Sequence, residues 1–250
     1  MGPEGRFRVR SAGMARFRGR LEQIVKIEIF SDVVCPWCYI GHARLKKAVR
    51  LFDGDVEIAH RPFQLAPDAV SNGEPLLPAL ARKFGGPAQV AQMTARVARA
   101  AAEDGLEIDF ERAIQANTFE AHRLIWLAQR AGHGAEAAER LFRAHFEEGL
   151  DVGDAATLAK LAAELGVTDT GEGAEEVRAE LARARDLGIS GVPLFLFEGQ
   201  FAVSGAQPVE TLLAALREVR ARTAVAVAQQ DPQGSAQGDG DACDDGFCAV

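Results

Sequence analysis

The chain of 250 residues carries a formal net charge of −8, with 36 acidic residues against 28 lysines and arginines. That balance argues against a nucleic-acid-binding protein, and no apolar run reaches the ~18 residues that a membrane span requires. Hydrophobic residues make up 48% of the chain, as in ordinary globular domains, and its four cysteines are too few for a secreted disulfide scaffold.

Both ends of the chain differ in composition from its body. Residues 1–23 are rich in arginine, and the ~7–15 apolar residues of a signal peptide do not follow them. We therefore expect a disordered basic extension and, without an export signal, a cytoplasmic protein. Residues 226–250 are rich in aspartate and glycine and contain Cys243 and Cys248, which indicates a flexible acidic tail.

The body of the chain begins with alternating strand and helix signals. Val25–Phe30 has the β-rich composition of a strand, the stretch from Pro36 to Phe52 is helical, and Asp55–His60 alternates as a second strand. Two strands around one helix form a βαβ unit, whose strands pair in parallel. From residue 67 to residue 187 the periodicity is helical, and it predicts helices over Ala88–Ala102, Asn117–Arg130, Ala135–Glu147, Asp154–Leu165 and Ala174–Leu187.

Strand character returns near the end of the body. Pro193–Phe197 and Phe201–Ser204 are joined by Glu198–Gln200 as a hairpin, and Pro208–Ala221 is predicted to form the closing helix. The elements therefore run β-α-β, a block of helices, a β-hairpin and a final helix. This order predicts an α/β fold with an inserted helical region.

The chemistry is predicted to centre on a Cys-Pro-Trp-Cys motif, from Cys35 to Cys38, where the first strand gives way to the first helix. The spacing puts the two sulfurs within disulfide reach across one helical turn, and the unpaired amides of that turn favour a negative charge. We therefore expect Cys35 to be the attacking nucleophile and Cys38 to resolve the mixed disulfide. Two alternatives stay open: a structural zinc site that also uses the tail cysteines, and a pair of buried, inert thiols.

Around this motif the sequence resembles a known family. The run Ile27–Gly41 (IEIFSDVVCPWCYIG) is similar to the opening of the DsbA-like thioredoxin-fold proteins called FrnE. Gly188–Phe195 (GISGVPLF) resembles the loop that carries a cis-proline facing the active-site sulfurs in thioredoxin folds. The resemblance covers about residues 25–222, and it includes the shorter stretches His60–Phe63, Ala121–Leu124 and Ser204–Pro208.

The resemblance implies a thioredoxin-like fold, in agreement with the order of the elements. It implies a cis peptide bond before Pro193 and makes Pro193 a catalytic residue. The cis bond leaves the Val192 backbone beside the nucleophilic sulfur, where a substrate peptide can bind as an added strand. Trp37 stands where DsbA has a histidine, and it either offers an apolar face to substrates or packs over the sulfurs.

The body divides into a thioredoxin-like domain over residues 24–66 and 188–225 and an all-helical insertion over residues 67–187.

These features predict a thiol–disulfide oxidoreductase or isomerase that acts on a disulfide-containing protein or a small thiol. We expect no metal and no cofactor besides the redox-active disulfide, and glutathione is a candidate co-substrate. We expect neither nucleic acid nor a membrane as a partner. A homodimer is compatible with the sequence. One alternative is a glutathione-dependent isomerase of the 2-hydroxychromene-2-carboxylate type, which usually has serine at the position of Cys35. The other is a zinc-binding or redox-sensing module.

The tail pair, Cys243 and Cys248, is predicted to be an accessory redox site. Gly246 lets the segment between the two cysteines close tightly enough for a disulfide. We expect the pair to exchange with Cys35 as an internal electron relay, and a metal-scavenging or merely oxidisable tail is the alternative.

Two histidines of the body lie close to the family motifs. His42 follows Cys38 by one helical turn, and we expect it to be exposed. His122 is expected to be buried with a structural role, next to a surface arginine, Arg123.

Overall fold

The computed structural model describes residues 24–230 of the chain, with side-chain packing over residues 24–223. The predicted basic extension over residues 1–23 lies outside the described residues. So do Cys243 and Cys248, together with the rest of the tail beyond residue 230.

The elements follow the predicted order. The chain begins with strand β1 (Val25–Ser31), helix α1 (Pro36–Leu51) and strand β2 (Val56–Pro62). It ends with strands β3 (Leu194–Phe197) and β4 (Phe201–Ser204) and helix α8 (Val209–Gln230). Between these two groups lies a run of helices: α2 (Leu76–Lys83), α3 (Pro87–Glu103), α4 (Phe119–Arg130), α5 (Gly134–Phe146), α6 (Ala155–Glu164) and α7 (Ala174–Asp186).

Two helices differ from the sequence-based expectation. Helix α2 was not predicted, because it is short, follows Pro75 and contains Pro78, so its helical pattern is weak. Helix α8 continues to Gln230, past the predicted helix end at Ala221 and past the predicted domain end at residue 225. Its extension has a simple cause, since the sequence after Ala221 contains no glycine or proline before Pro232.

The strands form a mixed four-stranded sheet in the order β2-β1-β3-β4. Strands β1 and β2 pair in parallel, as the βαβ unit predicts, whereas β3 runs antiparallel to β1 with Phe195 opposite Ile29. The β3–β4 hairpin closes with Phe197 opposite Phe201, and Glu198 and Gly199 both adopt positive φ in its turn. This sheet, with α1 and α8 packed against it, confirms the α/β, thioredoxin-like fold class.

The buried side chains form two clusters. One lies between the sheet and the helices α1 and α8, and it includes Ile27, Leu45, Phe195 and Leu216. The other extends from the first turn of α1 into the helical insertion and includes both motif cysteines. The first turn of α1 is therefore in contact with the insertion.

Tyr39 makes one of the contacts between α1 and the insertion. Its ring stacks on Phe142 of α5 with 5.2 Å between the ring centroids, and its hydroxyl donates to Glu147 Oε1 over 2.6 Å. Burial and the neighbouring Glu147 carboxylate raise the pKa of Tyr39, so the hydroxyl stays a donor. None of the described helices is long and apolar enough to cross a membrane.

Candidate active site

Cys35 is the N-cap residue of α1. Its backbone is extended, with φ −93° and ψ 112°, and Pro36 takes the first helical position. The Cys35 carbonyl accepts from the amides of Cys38 and Tyr39 over 3.0 and 3.2 Å. The Cys35 side chain therefore lies at the N-terminal end of α1, which is the positive end of the helix dipole.

The loop before β3 lies directly against Cys35. The Cys35 thiol donates to the Val192 carbonyl, with 3.8 Å between sulfur and oxygen, and the Val192–Pro193 peptide bond is cis, as predicted. Gly41 makes this approach possible, because a Cβ atom at that position would lie 3.0 Å from Pro193 Cγ and 3.2 Å from Phe195 Cζ. The predicted residues of the two motif blocks thus come together in one site.

Cys38 faces the protein interior and has only 2% of its surface exposed. Both motif cysteines are free thiols. Burial raises the pKa of Cys38 well above its ordinary value, and the hydrogen bond with Cys35 and the charge of Cys35 raise it further. At neutral pH Cys38 is therefore a protonated thiol in the reduced protein.

Asp32, in the loop between β1 and α1, is fully buried. Its Oδ2 accepts from the Leu65 amide over 2.8 Å, and its Oδ1 lies 3.4 Å from His122 Nε2. His122 Nε2 in turn lies 2.9 Å from the Phe63 carbonyl oxygen. Asp32 was not predicted as a site residue, although an acid within an apolar stretch just before the motif is a visible signal in the sequence.

A group of buried histidines extends from Asp32 toward the surface. His122 is buried, as predicted, but the expectation that His42 is exposed was wrong: it is 8% exposed, and its Nε2 lies 3.8 Å from Glu139 Oε2 of α5. The reason is that α5 packs against this side of α1. Burial lowers the pKa of His60 to about 3 and that of His145 to about 4, so both rings are neutral at physiological pH.

Arg123 follows His122 on α4 and points away from this group. Its guanidinium bridges Glu120 and Asp169 in ion pairs at the edge of the insertion. Charged hydrogen bonds with Asp169 hold the pKa of Arg123 above its ordinary value. These ion pairs indicate a structural role, although the Arg123 side chain is 15% exposed and so is more buried than the surface position predicted for it.

An apolar cavity of about 370 Å³ opens beside Cys35. Trp37 and Val192 form its wall on the thioredoxin-like side, and both side chains are half-buried. Trp37 packs against the buried cluster and also lines the cavity, so both of its predicted roles are compatible with its position. The insertion supplies the opposite wall, with Leu76, Ala79, Leu80, Phe84, Met93, Val97 and Phe110.

The zinc alternative depends on residues that the structure does not describe. Among residues 24–230, no group of three or more His, Cys, Asp or Glu side chains is arranged to hold a metal ion. Any four-cysteine site would need Cys243 and Cys248, which lie outside that range.

Comparisons with known proteins agree with this architecture. Residues 26–217 match the family described as DSBA-like thioredoxin domain. A probable DsbA oxidoreductase of Streptomyces coelicolor, whose structure is solved, is 32% identical, and the match covers 90% of this chain and 99% of that one with a TM-score of 0.72. The uncharacterized protein YwbO of Bacillus subtilis is 30% identical over 144 residues, which are 57% of this chain and 67% of YwbO.

A solved 2-hydroxychromene-2-carboxylate isomerase shares the fold at 16% identity. The match covers 82% of this chain and 99% of that one, with a TM-score of 0.58. At this identity the likeness concerns the fold, and the chemistry has to be argued from the site.

The different surroundings of the two cysteines predict selective alkylation. We expect iodoacetamide at pH 7 to label Cys35 and leave Cys38 unmodified, because a thiol with a raised pKa is not a thiolate at that pH. Peptide mass spectrometry after a short exposure measures both labels. In a parallel sample unfolded in urea, both cysteines should react equally. Equal labelling of the folded protein would contradict the assignment of Cys38 as the protonated, enclosed partner.

Proposed function

The chain belongs to the DSBA-like thioredoxin domain family, and on that premise we propose that it is a thiol–disulfide oxidoreductase whose reactive group is the Cys35–Cys38 dithiol. One observation carries the proposal: two free cysteines lie in the first turn of α1, with the outer sulfur against the Val192 carbonyl. A cysteine at position 35 supports redox chemistry over the isomerase alternative, because sulfur–sulfur exchange needs both thiols.

The proposed reaction is a two-electron exchange. The Cys35 thiolate attacks a substrate disulfide, one substrate sulfur leaves as a thiolate, and a mixed disulfide remains. Cys38 then attacks the Cys35 sulfur and releases the second substrate thiol, so the substrate is reduced and the dithiol becomes a disulfide. The reverse sequence oxidises a substrate dithiol. The Val192 carbonyl, adjacent to Cys35, is the group that would accept a backbone N–H from an extended peptide substrate.

The reduction potential of the motif tests this proposal. We expect the protein with Cys243→Ser and Cys248→Ser to show one two-electron transition between about −270 and −120 mV in graded glutathione buffers, with thiols counted by alkylation and mass. Cys38→Ser should accumulate a mixed disulfide at Cys35, and Cys35→Ser should accumulate none. The absence of a transition in that window would contradict the redox function.

The cavity beside Cys35 supports a substrate with an apolar group next to its disulfide. Its walls are mostly apolar side chains, and the polar groups of Lys83, Thr94 and Gln115 are the exceptions that would orient a bound molecule. We propose that a hydrophobic residue of a protein substrate, or the apolar body of a small disulfide, enters this space. The neighbouring Trp37 then forms part of the binding surface.

Two neighbouring alanines on α2 allow a matched test of the cavity. Ala79 lines the cavity beside Cys35, whereas Ala81 lines a neighbouring groove between α2 and α3 and does not line the cavity. Ala79→Phe should lower kcat/KM for a peptide disulfide with flanking leucines by about tenfold, since it fills the pocket. The rate with hydroxyethyl disulfide should not change, and Ala81→Phe should leave both rates unchanged. Equal effects of the two variants would exclude the cavity as the substrate site.

The tail cysteines extend the proposal to an internal relay. We propose that Cys243 and Cys248 exchange with the Cys35–Cys38 pair and pass electrons between it and small thiols such as glutathione. The sequence supports this with the spacing of the two tail cysteines around Gly246. In a Cys248→Ser variant the reduced active-site pair should reoxidise in oxidised glutathione more slowly than in the wild type. An unchanged rate, measured by alkylation and mass, would rule out the relay.

A cytoplasmic location stays a prediction, and a homodimer stays compatible with the sequence. The proposed substrates are disulfide-containing proteins or small thiols. The redox buffer of the compartment would set the direction of the reaction, because the same dithiol can reduce or oxidise its substrate.

A further inference from the structure

We propose that Lys83 makes the site selective for substrates in which an apolar group next to the disulfide carries a carboxylate. The inference rests on the proposed function, because it concerns the molecule that reacts with Cys35. It adds a negative charge to the apolar character that the cavity beside Cys35 already implies for its substrate. A segment of a protein and a small organic acid can both supply this chemistry.

Lys83 brings a positive charge to the cavity. It is the last residue of α2, and among the described residues that line the cavity it is the one Lys, Arg, Asp or Glu. The residue is exposed, so its side chain reaches the cavity from the solvent side. A carboxylate that meets the ammonium there stays partly hydrated, and the cost of desolvating the two charges therefore stays small.

The ammonium of Lys83 has no anionic partner within the described part of the chain. Its Nζ atom lies over the ring of Phe84, 5.5 Å from the centroid, and no carboxylate of residues 24–223 forms an ion pair with it. The preceding residue differs, since Arg82 pairs with Glu74 over 2.6 Å. The cation at the cavity is therefore available to a ligand, whereas its neighbour is already paired.

The other polar side chains of the cavity wall are neutral. Thr94 donates its hydroxyl proton to the Val90 carbonyl of its own helix over 2.9 Å, and Gln115 contributes an uncharged amide. Apart from the reactive Cys35 itself, none of the described lining residues would balance a cationic substrate. The wall thus attracts an anion and disfavours a cation, which is the basis of a choice between substrates.

The volume of the cavity suits an apolar group of the size of a ring. A cavity of ~150 Å³ holds benzene, and this one has a volume of about 370 Å³. Because Lys83 and Cys35 line the same space, one molecule can contact both. We therefore expect a bound substrate to place its apolar body against the wall, its disulfide at Cys35 and its carboxylate at Lys83.

A purely structural role for Lys83 leads to different expectations. Arg82 and Lys83 both lie in the last turn of α2, where cations interact favourably with the helix dipole. That role would affect the stability of the helix, and it would not affect the choice between a charged and a neutral substrate. Substrates that differ only in charge therefore separate the two roles.

Two matched pairs of disulfides test the role of Lys83 in the full chain with Cys243→Ser and Cys248→Ser. One pair is the disulfide of para-(sulfanylmethyl)benzoic acid and that of its carboxamide. The other is a peptide disulfide in which leucine and either glutamate or glutamine flank the cysteine. Each probe is reduced to two thiols while Cys35 and Cys38 form a disulfide, which alkylation and mass detect. Division by the rate of dithiothreitol with the same probe removes differences in intrinsic reactivity.

We expect the acid to react faster than its amide by about fivefold at low probe concentration, the upper range for an exposed ion pair. Lys83→Met should abolish this preference, and Lys83→Arg should retain it. The preference should lie in the half-saturation concentration rather than in the limiting rate, because the ion pair is the same before and during the reaction. It should weaken in about 0.5 M salt.

The matched control is Arg82→Met. Arg82 lies in the same helical turn as Lys83 but is absent from the cavity wall, so this variant should keep the preference for the acid. A preference in the small probes alone would support the inference with small acids as the source. A preference in the peptide pair would support it with an acidic protein segment as the source.

Two results would overturn the inference. One is equal normalised rates for the charged and the neutral member of both pairs. The other is a preference for the acid that survives Lys83→Met. Failure of the chain with an intact Lys83 to reduce any of the four probes would instead refute the proposed redox function, and with it the site to which the inference applies.

Discussion

The site depends on how closely the first helix approaches the loop before β3. Gly41 lies on the face of α1 that meets Pro193 and Phe195, and because it has no side chain the helix can come close to both residues. Because α1 follows β1 directly and β3 pairs with β1, the sheet holds both partners of this contact at a set separation. The Cys35 sulfur and the Val192 carbonyl meet as a result.

The helical insertion gives the two sulfurs different environments. On one side, α2 and α3 close an apolar cavity over Cys35. On the other, Cys38 belongs to a buried cluster that includes residues of α4 and α5, and buried polar groups lie around Asp32. A dithiol with one sulfur toward a binding space and one toward a polar interior can separate the capture of a substrate from its release.

Much of this arrangement could be predicted from the sequence. Strand alternation, helix periodicity and Pro36 were local signals, and they indicated the βαβ unit, the hairpin and the position of the motif. The cis bond at Pro193 came from the family resemblance, because no local pattern distinguishes it from a trans bond. The cavity was missed together with the short, proline-containing α2, which forms one of its walls.

The buried polar groups could not be predicted for a different reason. His42 lies on a helix with a mixed pattern, and its burial depends on α5, a helix almost a hundred residues further along the chain. Asp32 and His122 are also far apart in sequence and meet only through the tertiary fold. Contacts of this kind leave no periodic signal, so composition and spacing do not reveal them.

The enclosure of Cys38 also bears on how the site withstands peroxide. Under the proposed redox function, an oxidant would act first on Cys35, because Cys38 keeps its proton, and it would convert Cys35 to a sulfenic acid. Cys38 lies in the same helical turn and can condense with that sulfenic acid to form the ordinary active-site disulfide. Under the same proposal, oxidation of Cys35 would lead to the active-site disulfide, which a reductant can open again.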